Sequence, residues 1–212
     1  MRGALLTFEG VEGSGKSTQA RLLCDWLGGR GVDVVLSREP GGTEIGERIR
    51  TILLDPACRD MDGRTELFLY LASRNQHVRE KVLPALGRGA VVVLDRFAES
   101  SLAYQGGGRM LGLQVVSRLN RLATAALVPD RTVLVDVPVA VGRSRKEGAF
   151  LDRLEQERIE FHERVRQSYL RIARRAPKRV RVVDGTRPAD ELQAEVRLLV
   201  TEVLTRKGML EQ

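Results

Sequence analysis

The stretch Ala4-Leu5-Leu6-Thr7-Phe8-Glu9-Gly10-Val11-Glu12-Gly13-Ser14-Gly15-Lys16-Ser17-Thr18 decides the fold. Its first third, Ala4 to Phe8, is apolar at almost every position and predicts a buried strand. Gly10 to Ser17 then matches the pattern G-x-x-x-x-G-K-S of a phosphate-binding loop. Beyond it Ser17 to Leu27 has Ala20, Leu23, Cys24 and Leu27 on one helical face, and Gly28-Gly29-Arg30-Gly31 ends the helix. Strand, glycine-rich loop and helix in that order are the context in which the pattern is specific. Glycines let backbone N–H groups converge on phosphate oxygens, and the helix N-terminus behind them adds partial positive charge. The cradle predicted for a nucleoside triphosphate is Gly10, Glu12, Gly13, Ser14, Gly15, Lys16, Ser17 and Thr18. Lys16 is expected to reach the β- and γ-phosphates, and the Ser17 hydroxyl to ligate Mg²⁺. The loop does not identify the acceptor; an ATPase or a GTPase could own it.

Outward from this loop, strand-like and helix-like runs alternate. Strands are predicted over Val32 to Leu36, Ala90 to Leu94, Thr132 to Val137 and Val180 to Val183. Helices are predicted over Thr43 to Leu54, from about Thr65 to Gly87 with a break near Pro84, from about Leu111 to Ala126, and over Ala189 to Arg206. Strands that are apolar throughout and separated by helices imply a parallel sheet covered on both faces. The expected fold is therefore α/β, a P-loop NTPase-like three-layer arrangement with a five-stranded parallel sheet flanked by helices. No repeat, low-complexity tract or linker divides the chain, so residues 1–212 read as a single domain. Gly106-Gly107-Gly108 reads as a loop within it.

The net charge of +7 admits general solubility, nucleic-acid binding or a site for polyanionic small molecules. Aromatic residues make up only 4%, which disfavours a stacking platform for single strands, and the arginines are spread rather than gathered in a tail. A nucleotide site without nucleic acid is the expectation. Cys24 and Cys58 have neither metal-like nor redox-like spacing, which fits a reduced, cytoplasmic protein. The apolar run after Met1-Arg2 is too short for a signal peptide, and no segment reaches the roughly 20 apolar residues of a membrane span.

Four segments bear on the acceptor. Arg38-Glu39-Pro40-Gly41-Gly42-Thr43 comes after the second strand at the sheet's carboxyl edge, where ligands bind in open α/β folds; Arg38 there could clamp a phosphate or simply lie on a turn. Asp95-Arg96-Phe97 ends the third strand, with Asp95 placed to hold Mg²⁺ or its waters and Arg96 to meet a transferring phosphate. Tyr70 and Arg74 stand four apart on one helical face, suited to a base or to the core beside solvent. Ser100, Ser101, Tyr104 and Gln105 precede the triple glycine.

Taken together, the loop Phe8 to Thr18, the run Arg38 to Thr43, the stretch Asp95 to Arg109 and the segment Leu151-Asp152-Arg153-Leu154-Glu155 resemble the thymidylate kinases, bacterial type, over nearly the whole chain. The resemblance implies ATP as phosphate donor, dTMP as acceptor, Mg²⁺ as cofactor, a supply of dTDP toward DNA synthesis, and a homodimer built through helices. It implies that Glu12 meets the sugar 3′-hydroxyl and that Arg38 and Arg96 hold the acceptor phosphate. Arg74 would bond thymine O4 and Tyr70 would stack on the ring. Ser100, Ser101 and Gln105 would lie near the base, and Tyr104 would exclude a 2′-hydroxyl. Tyrosine at position 70 departs from the family's usual phenylalanine but keeps the ring. The family places a catalytic arginine in the loop or in a lid; positions 11–14 carry none, so a lid at about 142–153 should supply it. Of Arg143, Arg145, Lys146 and Arg153, the expected contributors are Arg145 and Arg153. No histidine falls in a motif, and His77 and His162 read as surface residues.

Overall fold

Residue 5 of the first strand and residue 92 of the third point the same way, and that alternation builds two separate cores. The computed structural model describes residues 3–148 and 150–210; Met1 and Arg2, and Ala149 inside the expected lid, lie outside them. The strands are β1 (Ala4–Glu9), β2 (Val34–Arg38), β3 (Val91–Asp95), β4 (Arg131–Asp136) and β5 (Val180–Asp184). They form one parallel sheet, as the alternating pattern requires, in the order β2-β3-β1-β4-β5. The helices are α1 (Lys16–Gly28), α2 (Glu44–Leu54), α3 (Gly63–His77), α4 (Leu83–Arg88), α5 (Ala98–Ser101), α6 (Leu113–Ala123), α7 (Val139–Ser144), α8 (Ile159–Arg175) and α9 (Ala189–Arg206). None of the helices described is long and apolar enough to cross a membrane.

Ala4, Leu6 and Phe8 face one side with Val91, Val93, Val133 and Val135, packed against Ala20, Leu23 and Leu27 of α1 and Val196, Val200 and Leu204 of α9. Leu5, Val92 and Leu94 face the other side against Val78, Val82 and Leu86. On that second side α8 adds Phe161, Val165, Tyr169 and Ile172. The period-2 alternation puts Thr7 and Glu9 on the α8 side of β1.

The predicted break near Pro84 takes a definite form. The helical path continues from α3 through one wide i→i+5 turn at residues 78–82 into α4. Proline has no N–H and its ring crowds the carbonyl four residues back, so the chain widens just before it. The triple glycine is a correction: residues 102–108 are not a loop but a second wide helical turn packed on α8. A Cβ on Gly107 would lie 1.9 Å from Ser168 Oγ, and one on Gly108 would lie 2.6 Å from Phe161 Cε2. These glycines serve close helix contact rather than a chain reversal. The second strand also runs two residues later than its apolar run suggests, so Arg38 is its last residue rather than part of the next turn.

Candidate active site

The sheet register makes the site. Phe8 of β1 pairs with Asp95 of β3, and Asp95 pairs in turn with Arg38 of β2. Three strands therefore end level, and the segments leaving their carboxyl ends meet over one edge. A cleft of about 620 Å³ opens there. Its walls include Glu12, Gly13 and Gly15 to Thr18 of the glycine-rich loop, Arg38, Tyr70, Asp95, Arg96, Ser100, Ser101, Tyr104, Gln105 and Arg145.

The loop has the build of an anion cradle. Gly13 sits at φ 69°, and a Cβ there would fall 2.0 Å from the Gly142 carbonyl oxygen of α7, so only glycine fits between loop and helix. Gly15 caps α1 at φ 91° and, having no side chain, accepts nothing from the first turn of that helix. Its N–H groups thus face the cleft side without a side-chain partner, the arrangement that receives phosphate oxygens. Among the described residues Lys16 Nζ donates only to the Val11 carbonyl, at 3.4 Å. Burial, then the Arg96 charge, push its ammonium down to about 8; the acids Asp95 and Glu12 pull the other way. Ser17 Oγ donates to Asp95 Oδ2. Asp95 Oδ1 is buried with no hydrogen-bond partner among the described residues. A hydroxyl and a carboxylate oxygen of this kind, side by side at a P-loop, fit a hard divalent cation. Arg145 reaches across, donating to the carbonyls of Gly13 at 3.2 Å and Gly185 at 3.0 Å.

The other half of the cleft is organised by Arg96, a non-glycine residue at φ 74°. Its Nη2 donates to Glu12 Oε1 at 3.1 Å and to Tyr104 OH at 3.2 Å. Its Nη1 donates to Ser100 Oγ and to Tyr169 OH, each at 3.2 Å. Tyr104 OH in turn donates to Glu12 Oε1 at 2.6 Å. Burial works to raise the Glu12 carboxyl, but neighbouring His162 and the charges of Arg96 and Lys16 together hold it well below the usual carboxylate range. Glu12 is therefore an anion fixed among cations, not a solvent-facing acid. Tyr70 and Tyr104 supply ring surface to the wall, and burial raises both phenols. Arg38 pairs with Glu47 at 3.1 Å and stays largely exposed.

Several expected residues lie elsewhere. Arg74 is 1% exposed. Its guanidinium donates to Glu39 at 2.6 Å, Ser101 at 2.8 Å, Asn120 at 2.5 Å and the Phe97 carbonyl at 2.9 Å. Four of its five N–H groups are thereby used, leaving one, on Nη2. Arg153 is turned from the cleft: it donates to the Leu53 carbonyl at 2.9 Å and pairs with Glu66 at 2.7 Å, beside Arg109 and Gln105 on the same carboxylate. It ties the lid-side segment to α3. Gln105, spent on Glu66 at 2.8 Å, still borders the cleft. Both histidines correct the surface expectation. His77 is 0% exposed and lies between Ser37 Oγ at 2.8 Å and Glu39 at 3.0 Å. His162 is 4% exposed, with Nδ1 3.5 Å from Glu12. The charge-rich sequence around them reflects the outer faces of their helices.

Sequence reading missed Glu9, Tyr169, Arg50, Glu39 and Glu66 as site residues. For Glu9 a signal was present, because an acid that closes an otherwise buried strand needs a partner. Its carboxyl is raised to about 7, by burial first and by the nearby Glu99 second. Arg50 borders the cleft beside Arg38 and donates to the Pro40 carbonyl at 2.9 Å.

Comparison with known proteins is consistent in direction. A family model described as Thymidylate kinase matches residues 8–196. The chain is 48% identical over 202 residues to a thymidylate kinase of Symbiobacterium thermophilum, covering 95% of this chain and 94% of that one. It is 43% identical over 200 residues to a thymidylate kinase of Ruthia magnifica, covering 94% and 98%. Among solved structures, the crystal structure of thymidylate kinase from Ehrlichia chaffeensis superposes with a TM-score of 0.78 at 32% identity, covering 94% of this chain and 98% of that one.

Proposed function

The chain belongs to the thymidylate kinase family, and from that premise we propose that it transfers the γ-phosphate of ATP to dTMP, with Mg²⁺, yielding dTDP for deoxynucleotide supply. The observation that carries the reading is the pairing, over one sheet edge, of the Lys16 loop with the Arg96 cluster. One half receives a polyphosphate; the other is a cationic group walled by two tyrosine rings, suited to a second nucleotide's phosphate and base.

Phosphoryl transfer asks for alignment and charge neutralisation more than covalent chemistry. Lys16 and the α1 N-terminus hold the donor phosphates. Ser17 Oγ and Asp95 would hold Mg²⁺, which would supply charge neutralisation at the transferring group. Arg96 and Arg38 hold the acceptor phosphate, whose oxygen is already anionic near neutral pH, so no strong base is needed. Glu12 orients the sugar, Tyr104 crowds its 2′ position, and Tyr70 faces the base with Ser100, Ser101 and Gln105. Arg145, fixed on the loop carbonyl of Gly13, is the lid arginine best placed to meet the donor. Segment 142–153 acts as the lid that limits water access. Arg153 anchors that lid rather than meeting substrate.

The test is ADP release with ATP and Mg²⁺ over dTMP, dUMP, dCMP, UMP, AMP and no acceptor. The expected result is strong turnover with dTMP, weaker with dUMP and little with the rest. Acceptor-independent hydrolysis would leave the phosphate loop standing and remove the acceptor roles. The chain also forms a homodimer in this reading: α2, α3 and α6 carry the exposed apolar residues Ile45, Ile52, Phe68, Val115 and Leu122. Sedimentation equilibrium should give a mass twice that of the chain, and a monomer at micromolar concentration would exclude it.

A further inference from the structure

Two residues behind the cleft wall, Glu9 and Tyr169, act on Arg96 without lining the cleft themselves. Ser100 Oγ and Tyr169 OH each stand 3.2 Å from Arg96 Nη1. A hydroxyl facing a guanidinium must present a lone pair, so its proton must go elsewhere. Both reach one acceptor: Glu9 Oε2 lies 2.6 Å from Ser100 Oγ and 2.8 Å from Tyr169 OH, and the two hydroxyls stand 2.8 Å from each other. The other oxygen, Oε1, accepts from the backbone N–H of Phe97 at 2.8 Å and of Ser100 at 3.3 Å. These two amides come just after Arg96, whose left-handed backbone is disfavoured for a side chain of its size. Glu9 thus fixes both the turn that presents Arg96 and the polarity of the hydroxyls that hold it. Glu9 itself is fully buried and borders no part of the cleft.

We propose that Glu9 and Tyr169 are positioning residues for the acceptor phosphate, setting the orientation of Arg96 through Ser100 and the Tyr169 hydroxyl. Tyr169 lies on α8, the helix next after the lid segment in the chain, so the helix that carries the lid's far end also grips the acceptor arginine. The proposal rests on the assignment of Arg96 to the acceptor phosphate made above.

The test is a double-mutant cycle on the full chain: Tyr169→Phe, Arg96→Lys and the pair together, read by steady-state kinetics and by calorimetric dTMP binding. Tyr169→Phe removes one oxygen and keeps the ring. It should lower kcat/KM for dTMP roughly 10-fold, the scale of one hydrogen bond to a charged group, and weaken dTMP binding while the KM for ATP stays unchanged. Arg96→Lys should lower turnover by roughly 100-fold. In the Arg96→Lys background, Tyr169→Phe should cost little more, because the group it positions is gone; Glu9→Gln should show the same pattern. A Tyr169→Phe penalty equally large in both backgrounds, or shared equally by ATP, would overturn the positioning role and leave Arg96 in place. Near-normal turnover of Arg96→Lys would overturn the assignment of Arg96 itself.

Discussion

Lys16→Ala is expected to lower kcat with ATP and dTMP by roughly 10²–10³-fold, the scale of losing one preorganised donor at a developing charge. Lys16 does little for the fold. Its Nζ makes one long contact, 3.4 Å to the Val11 carbonyl. Its charge is costly to bury: desolvation and the Arg96 charge push it down to about 8. A cation held at a penalty in a glycine cradle is released from that penalty when phosphate arrives, so its worth lies in the ternary complex. The melting temperature of Lys16→Ala should therefore stay close to that of the parent or rise slightly. The same depression sets a pH dependence. In the free enzyme the protonated, phosphate-binding form is lost as pH rises through about 8, so kcat/KM for ATP should fall above that pH. A Lys16→Ala enzyme of near-normal activity, measured by ADP release, would remove the donor-site reading.

Arg74→Met is expected to cost roughly 3–5 kcal/mol of stability, because it strips a buried carboxylate of its main partner. Burial works to raise the Glu39 carboxyl, and the Arg74 charge and the His77 bond more than offset it, holding it below the ordinary range. Without Arg74, Glu39 keeps only His77, while Ser101, Asn120 and the Phe97 carbonyl lose the donors that join α3 to the turn after β3 and to α6. A loss of that size should lower the melting point by roughly 10 °C or more. Family resemblance assigns the same residue to thymine O4, and its one remaining N–H is the only donor it has for that. In enzyme kept folded at low temperature, discrimination between dTMP and dCMP should then narrow by about 10-fold, the worth of a single hydrogen bond. Unchanged thermal stability would contradict the network. Unchanged discrimination would leave Arg74 a purely structural residue.

These two residues mark what sequence could and could not say. Lys16 was legible because its meaning is local: the pattern Gly10 to Ser17 lies between a strand and a helix, and nothing distant is needed to place it. The sheet was legible for the same reason, through apolar runs such as Val91-Val92-Val93-Leu94. Arg74 was harder, because its four partners come from segments 23 to 46 residues away. Spacing can put Tyr70 and Arg74 on one face but cannot tell which of them ends in the cleft. The histidines were obscured similarly. Charged neighbours on the outer turns of α3 and α8 hid the fact that His77 and His162 point inward. The triple glycine misled for a different reason: glycine signals a turn when the backbone needs freedom, but at 107 and 108 it answers the nearness of Ser168 and Phe161. The lid arginine remained divided between two positions because Arg145 and Arg153 are equally basic in sequence. Only packing separates one held at the loop from one held under Glu66.

The bond between Glu9 and Tyr169 joins residues 160 positions apart. On a ribosome this spacing has a temporal meaning. The phosphate loop leaves the exit tunnel early, but its strand β1 has neighbours only once β3 and β4 have emerged, and the arginine of the acceptor side lacks part of its support until α8 follows. The nascent chain would then assemble its donor side, which needs β3, β4 and α7, before it can hold an acceptor in register. Catalytic competence is in this sense a late property of translation, acquired when the last third of the polypeptide closes over the first ten residues.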